Sequence, residues 1–227
     1  MQKLIFQSSL FVHVLCGFFG LLSGFVAMIA RRKGGPLHNR AGIVFYSCMF
    51  GIFITTLIFF VLNPLNLKYQ FFLGIGIVSF YPAFSGKRVL AMKKVINPTW
   101  LDKAAMWGVG LCGLTMIGYA IAKIDSDYGI LFGIFGSVCL QNFYGDWSIF
   151  SGRRTPQKLH WFFAHGAKMT GALSAAMTAF CVNIVPRYLP RDTSQFVFIA
   201  VWVLPGVAIG LWGRSVLKKY QKPTPAL

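Results

Sequence analysis

Glutamate is absent from these 227 residues, and aspartate occurs only five times, against 22 Lys and Arg. Charged residues of both signs make up 12% of the chain, where a soluble domain carries about 25%. Hydrophobic residues reach 56%, and the mean hydropathy is +0.63. A water-soluble domain cannot bury that much apolar side chain. The shortage of charge therefore excludes the soluble class and points to an integral membrane protein.

Other absences narrow the chemistry. No two cysteines stand in a CxxC pair, and all five (Cys16, Cys48, Cys112, Cys139 and Cys181) fall inside apolar segments. They read as small buried hydrophobes rather than a disulfide framework. No Ser or Cys stands in a nucleophile elbow, and no glycine loop has phosphate-cradling spacing, so nothing supports nucleophilic catalysis. The net charge of +17 suggests nucleic acid, but there is no aromatic–basic binding motif and no separate basic domain. No nucleic-acid partner is expected. The first apolar run is also too long for a signal-peptide core of about 7–15 residues, so it reads as a retained helix.

What is present is a series of long apolar runs. Crossing about 30 Å of hydrocarbon takes roughly 20 apolar residues. Seven segments qualify, at 4–30, 41–63, 69–86, 104–122, 128–150, 160–185 and 195–217, separated by the breakers "NPLN", "DSDYG" and "VPRYLPRD". The expected fold is one all-α domain, a bundle of seven transmembrane helices. Sixteen of the 22 cations fall in segments 31–40, 87–103 and 151–159 and in the tail beyond Leu211. By the positive-inside rule these are cytoplasmic, with the N-terminus outside. Anionic lipids on that face are the expected partners, together with other membrane subunits. A retinal protein would need a lysine midway along the last helix, and "FVFIAVWVLPGVAIGLW" has none.

Four stretches together carry a resemblance: "HVLCGFFGLLSG", "RKGGPLHNRAGIVFYSCM", "HGAKMTGALSAAMTAFCVN" and "VWVLPGVAIGLWGRSVLKK". They resemble an uncharacterised family, a domain of unknown function, of small polytopic inner-membrane proteins of Bacteroidetes-type bacteria. The resemblance implies a multi-pass bacterial inner-membrane protein and carries no activity with it.

Ionisable groups at membrane depth cost at least about 2.5–3.5 kcal/mol each, so each marks a candidate site. At 1.5 Å per residue, His165 lies roughly 9 Å and Lys168 about 13 Å into the sixth helix, three residues apart and on one face. Asn142 and Asp146 share a face of the fifth helix, with Asp146 roughly 6 Å above the inner boundary. A short connection makes helices five and six antiparallel neighbours by expectation, so Asp146 can neutralise Lys168. The candidate binding residues are His165, Lys168, Asp146 and Asn142, joined by His38 from the loop before the second helix.

The expected role is a binding or accessory subunit without a cofactor, and two cofactor-bearing readings stand beside it. A zinc hydrolase would use His38, His165 and Asp146, by architectural analogy with seven-helix ceramidase-type enzymes. His160 and His165 are five apart, about 140° around the helix, and do not easily share one ion. A b-type haem would need His13 and His165, whose depths differ by about 9 Å.

Overall fold

The computed structural model describes residues 1–123, 127–156, 158–190 and 192–220. Lys222, one of the sixteen cations counted above, lies outside the described residues, as do Asp125 and Arg191 of the quoted breakers. Within them the chain is all-α, with no strand. The order is α1 (Gln2–Ile29), α2 (Pro36–Leu62), α3 (Leu67–Arg88), α4 (Trp100–Ala122), α5 (Asp127–Phe150), α6 (His160–Ile184) and α7 (Gln195–Lys218). Short 3-10 turns follow α3, at Val89–Met92, and α6, at Val185–Tyr188.

Helix ends track local chemistry. Pro36 opens α2 at a position where its missing N–H costs nothing, which starts the helix five residues before the apolar run. His38 therefore belongs to the first turn of α2 and not to a loop. Thr99 and Asp102 form a capping box at the start of α4: each side chain accepts from the other residue's backbone N–H, at 3.4 and 2.8 Å.

Successive helices run antiparallel. Gln2 Nε2 at the start of α1 donates to the Leu62 carbonyl at the end of α2, and Phe162 early in α6 meets Tyr220 just beyond α7, with centroids 5.2 Å apart. Such contacts gather the cation-rich segments at one end of the bundle. There Lys87 Nζ sits 4.0 Å from the Tyr46 ring centroid, and Lys93 Nζ 4.7 Å from that of Trp161.

The middle of the bundle is α3, which packs against α2, α4, α5 and α6. From Tyr69 to Gly86 none of its residues is exposed. On one side Phe71, Val78 and Tyr81 join Met106, Val109, Phe132 and Cys139 of α4 and α5. On the other, Ala83 joins Phe45 and Met49 of α2, Ala172 and Leu173 of α6, and Ile209 of α7. The outer helices reverse the soluble pattern: Phe11, Phe18, Leu111, Ile121 and Leu204 are all more than 60% exposed. Contiguous apolar surface of this kind marks an apolar surrounding. Five helices (α1, α2, α4, α6 and α7) are long and apolar enough to cross a membrane.

α5 and α6 are not packed neighbours along their length, contrary to the expectation from their short connection. α3 has a broad face on α6 and a second on α5, and stands between them. Small residues also let α3 close on α2. A Cβ on Gly76 would collide with the Thr56 hydroxyl of α2, whereas one on Gly118 of α4 would meet nothing within 4 Å. Gly76→Val is expected to cost about 1–3 kcal/mol, as overpacking does. Gly118→Val should be nearly silent. Melting of the two variants in one detergent checks this, and equal Tm values would remove the argument.

Candidate functional site

Asp146, late in α5, is 8% exposed and receives donors from two other helices. Lys168 Nζ of α6 lies 2.7 Å from Oδ1 and 2.6 Å from Oδ2, and Tyr81 Oη of α3 donates to Oδ2 at 2.5 Å. The ammonium gives a third bond to Ser85 Oγ at 2.9 Å, and Ser85 in turn donates to the Tyr81 carbonyl. Both carboxylate oxygens and the ammonium are thus satisfied inside the bundle, the condition under which a buried pair is tolerated. The two helices that supply the charges are joined here by side chains that meet beside α3.

A close contact fixes the geometry of α6. Gly86 presents no Cβ to α6; one added there would stand 3.0 Å from the Lys168 Cβ. The freed space lets His165 Nδ1 reach the Gly86 carbonyl at 2.8 Å. A carbonyl only accepts, so Nδ1 carries the proton and donates. His38 is held the same way, its Nδ1 donating to the Ala27 carbonyl of α1 at 2.9 Å. The two imidazoles meet edge to face, with centroids 6.2 Å apart.

Beside the ion pair lies a cavity of about 40 Å³, bounded by Tyr81, Ser85, Asp146 and Lys168 at one side and by Arg88, Asp102 and His160 at the other. At roughly 10–15 Å³ of such volume per molecule, it admits two to four waters. Arg88 closes it with a two-point grip on Asp102, Nε to Oδ1 at 2.7 Å and Nη2 to Oδ2 at 2.9 Å. Thr99 Oγ1 also donates to Asp102 at 2.7 Å and accepts from Arg88 at 3.0 Å. Two neutralised pairs therefore border one small space, whose remaining lining, Phe84, Val89, Met92, Ile149, Phe150 and Ala164, is apolar.

Set against the sequence expectations, Lys168 and Asp146 meet, and His165 and His38 meet beside them. Asn142 does not join: it turns back on its own helix and donates to the Val138 carbonyl at 2.9 Å, as an amide with no partner on a neighbouring helix does. The zinc set is not assembled. Asp146 is taken by Lys168 and Tyr81, and among the described residues no three His, Cys, Asp or Glu side chains converge on one point. The haem pair is not brought together either, since His13 hydrogen-bonds Thr55 Oγ1 at 2.7 Å and lies against Phe59, whereas His165 faces His38 and α3.

Sequence reasoning did not find Tyr81, Ser85 or the Arg88–Asp102 pair. Thr99-x-x-Asp102 carried a signal, because that spacing is a capping box. Tyr81 carried none, since an aromatic in an apolar run reads as core. No family model matches the chain, and no curated protein or solved structure matches it.

Proposed function

We propose that the chain is a multi-pass protein of a bacterial inner membrane, belonging with the uncharacterised family it resembles, with all seven helices spanning the bilayer. The N-terminus lies outside and the cation-rich end lies in the cytoplasm. Five sufficiently long and apolar helices support the spanning, and α3 and α5, of 22 and 24 residues, have the length to join them. The collection of cations at one end supports the orientation.

Within that frame the protein acts as a binding or accessory subunit with a buried ionisable site near its cytoplasmic end. One observation carries this reading: the Asp146 carboxylate, held by Lys168 and Tyr81, opens on a cavity of about 40 Å³. That volume limits an occupant to a proton, water or a small inorganic ion. A lipid headgroup does not fit there.

Orientation is tested with reporters. One fused after Leu227 should report cytoplasm, and one inserted in the α4–α5 connection should report the outside. Both tags on one face would overturn the arrangement.

A further inference from the structure

At the cation-rich end a second, larger space opens between the turn after α3, the end of α5 and the start of α6. It is an open groove of about 710 Å³, within the range of roughly 300–1,000 Å³ typical of ligand sites. Lys93, Lys94, Arg154 and Lys158 line it, and no carboxylate does. This is unlike the bundle interior, where Lys168 and Arg88 each have an aspartate. Four like charges around one space repel one another unless an anion joins them.

The opposite wall is apolar, with Ile96, Ile149, Phe150 and Leu159, and Trp161 stands at the rim beneath Lys93. α6 begins in the same space, after Leu159 in the left-handed conformation (φ 62°), with no side chain capping its first turn. The positive end of a 25-residue helix thus adds to the field of the four cations.

We infer that this groove is a specific binding site for the phosphate headgroup of an anionic phospholipid. The cations and the helix start take the phosphate, and the apolar wall takes the glycerol and the first acyl carbons. Charge complementarity selects an anion. The amphipathic lining selects a lipid over a soluble phosphate compound, which would leave the apolar wall against water. Trp161 suits the same interfacial level, where indole rings concentrate. The inference rests on the proposed placement of this end at the cytoplasmic membrane surface.

The test uses the full chain in detergent, titrated with phosphatidylglycerol, with phosphatidylcholine, and separately with inorganic phosphate and glycerol 3-phosphate. Bound lipid is counted by native mass spectrometry, and the Tm is followed in parallel. The site variant is Lys94→Gln with Arg154→Gln. The control is Arg31→Gln with Arg32→Gln, which removes the same charge from the same end. Phosphatidylglycerol should bind saturably to the wild type and the control, and about tenfold or more weakly to the site variant. Phosphatidylcholine and the soluble phosphates should not substitute for it. Equal weakening in both variants would mean diffuse attraction and overturn the site. Equal binding by the soluble phosphates would overturn the lipid assignment, and so would a site variant that binds like the wild type. The reporters decide the orientation independently, so a failure here is distinguishable from a failure of the membrane placement.

Discussion

Lys168→Met alone should destabilise the protein by roughly 3–5 kcal/mol, because it strands a buried carboxylate that two helices converge to neutralise. Asp146→Asn alone should do the same by stranding the ammonium. Lys168→Met combined with Asp146→Leu removes both charges and should recover most of the loss, since apolar pairs of similar volume often replace buried ion pairs at no net cost. Melting or denaturant unfolding in a single detergent measures all three. Additive losses in the double variant would mean that the pair is not a coupled unit. The double variant also separates packing from binding. If it is stable but no longer supports the native protein's role in cells, the charges serve a ligand. If it is stable and fully competent, they serve only to join the helices.

Tyr81→Phe is the second large effect. The phenol donates to an ionised, buried acceptor at 2.5 Å, and hydrogen bonds to charged groups contribute about 1.5–3 kcal/mol. The ring itself is buried in the core cluster that includes Met106 and Val109 of α4, and the substitution preserves that packing. The loss should therefore appear in the wild type and largely vanish in the Lys168→Met, Asp146→Leu background, where no carboxylate is left to satisfy. A loss of equal size in both backgrounds would assign Tyr81 to the core rather than to the site.

Most helices were legible because they are long apolar runs, several of them ended by Pro, Gly, Asn or Asp. Their first turns were not, because hydropathy ignores caps: Pro36 and Thr99 begin α2 and α4 several residues before the apolar stretch. The meeting of Lys168 with Asp146 was legible because two opposite charges inside long apolar runs need each other. The route by which they meet was not. A short connection suggested that α5 lies against α6, but α3 packs on α6 across a broad face and on α5 across a narrower one, and so stands between them. Tyr81 and Ser85 then enter the site from a helix that the linear spacing had not connected to it. Asn142 was misread because a polar side chain on the correct face can still satisfy itself on its own backbone.

The enclosure of α3 has a consequence for biogenesis. From Tyr69 to Gly86 it shows no exposed residue, and it carries Ser79, Pro82, Ser85 and three glycines among its tightest contacts. It is also not among the helices apolar enough to count as spans by composition. A segment leaving the translocon partitions into lipid by its own apolarity, and α3 has little to spare. In the proposed seven-span arrangement its lodging in the bilayer therefore depends on company: α2, inserted before it, offers it a face, and α4 to α6 complete the enclosure as they emerge. The centre of the finished bundle is thus the element least able to enter the membrane by itself, and the charged pair can close only after α6 has been made.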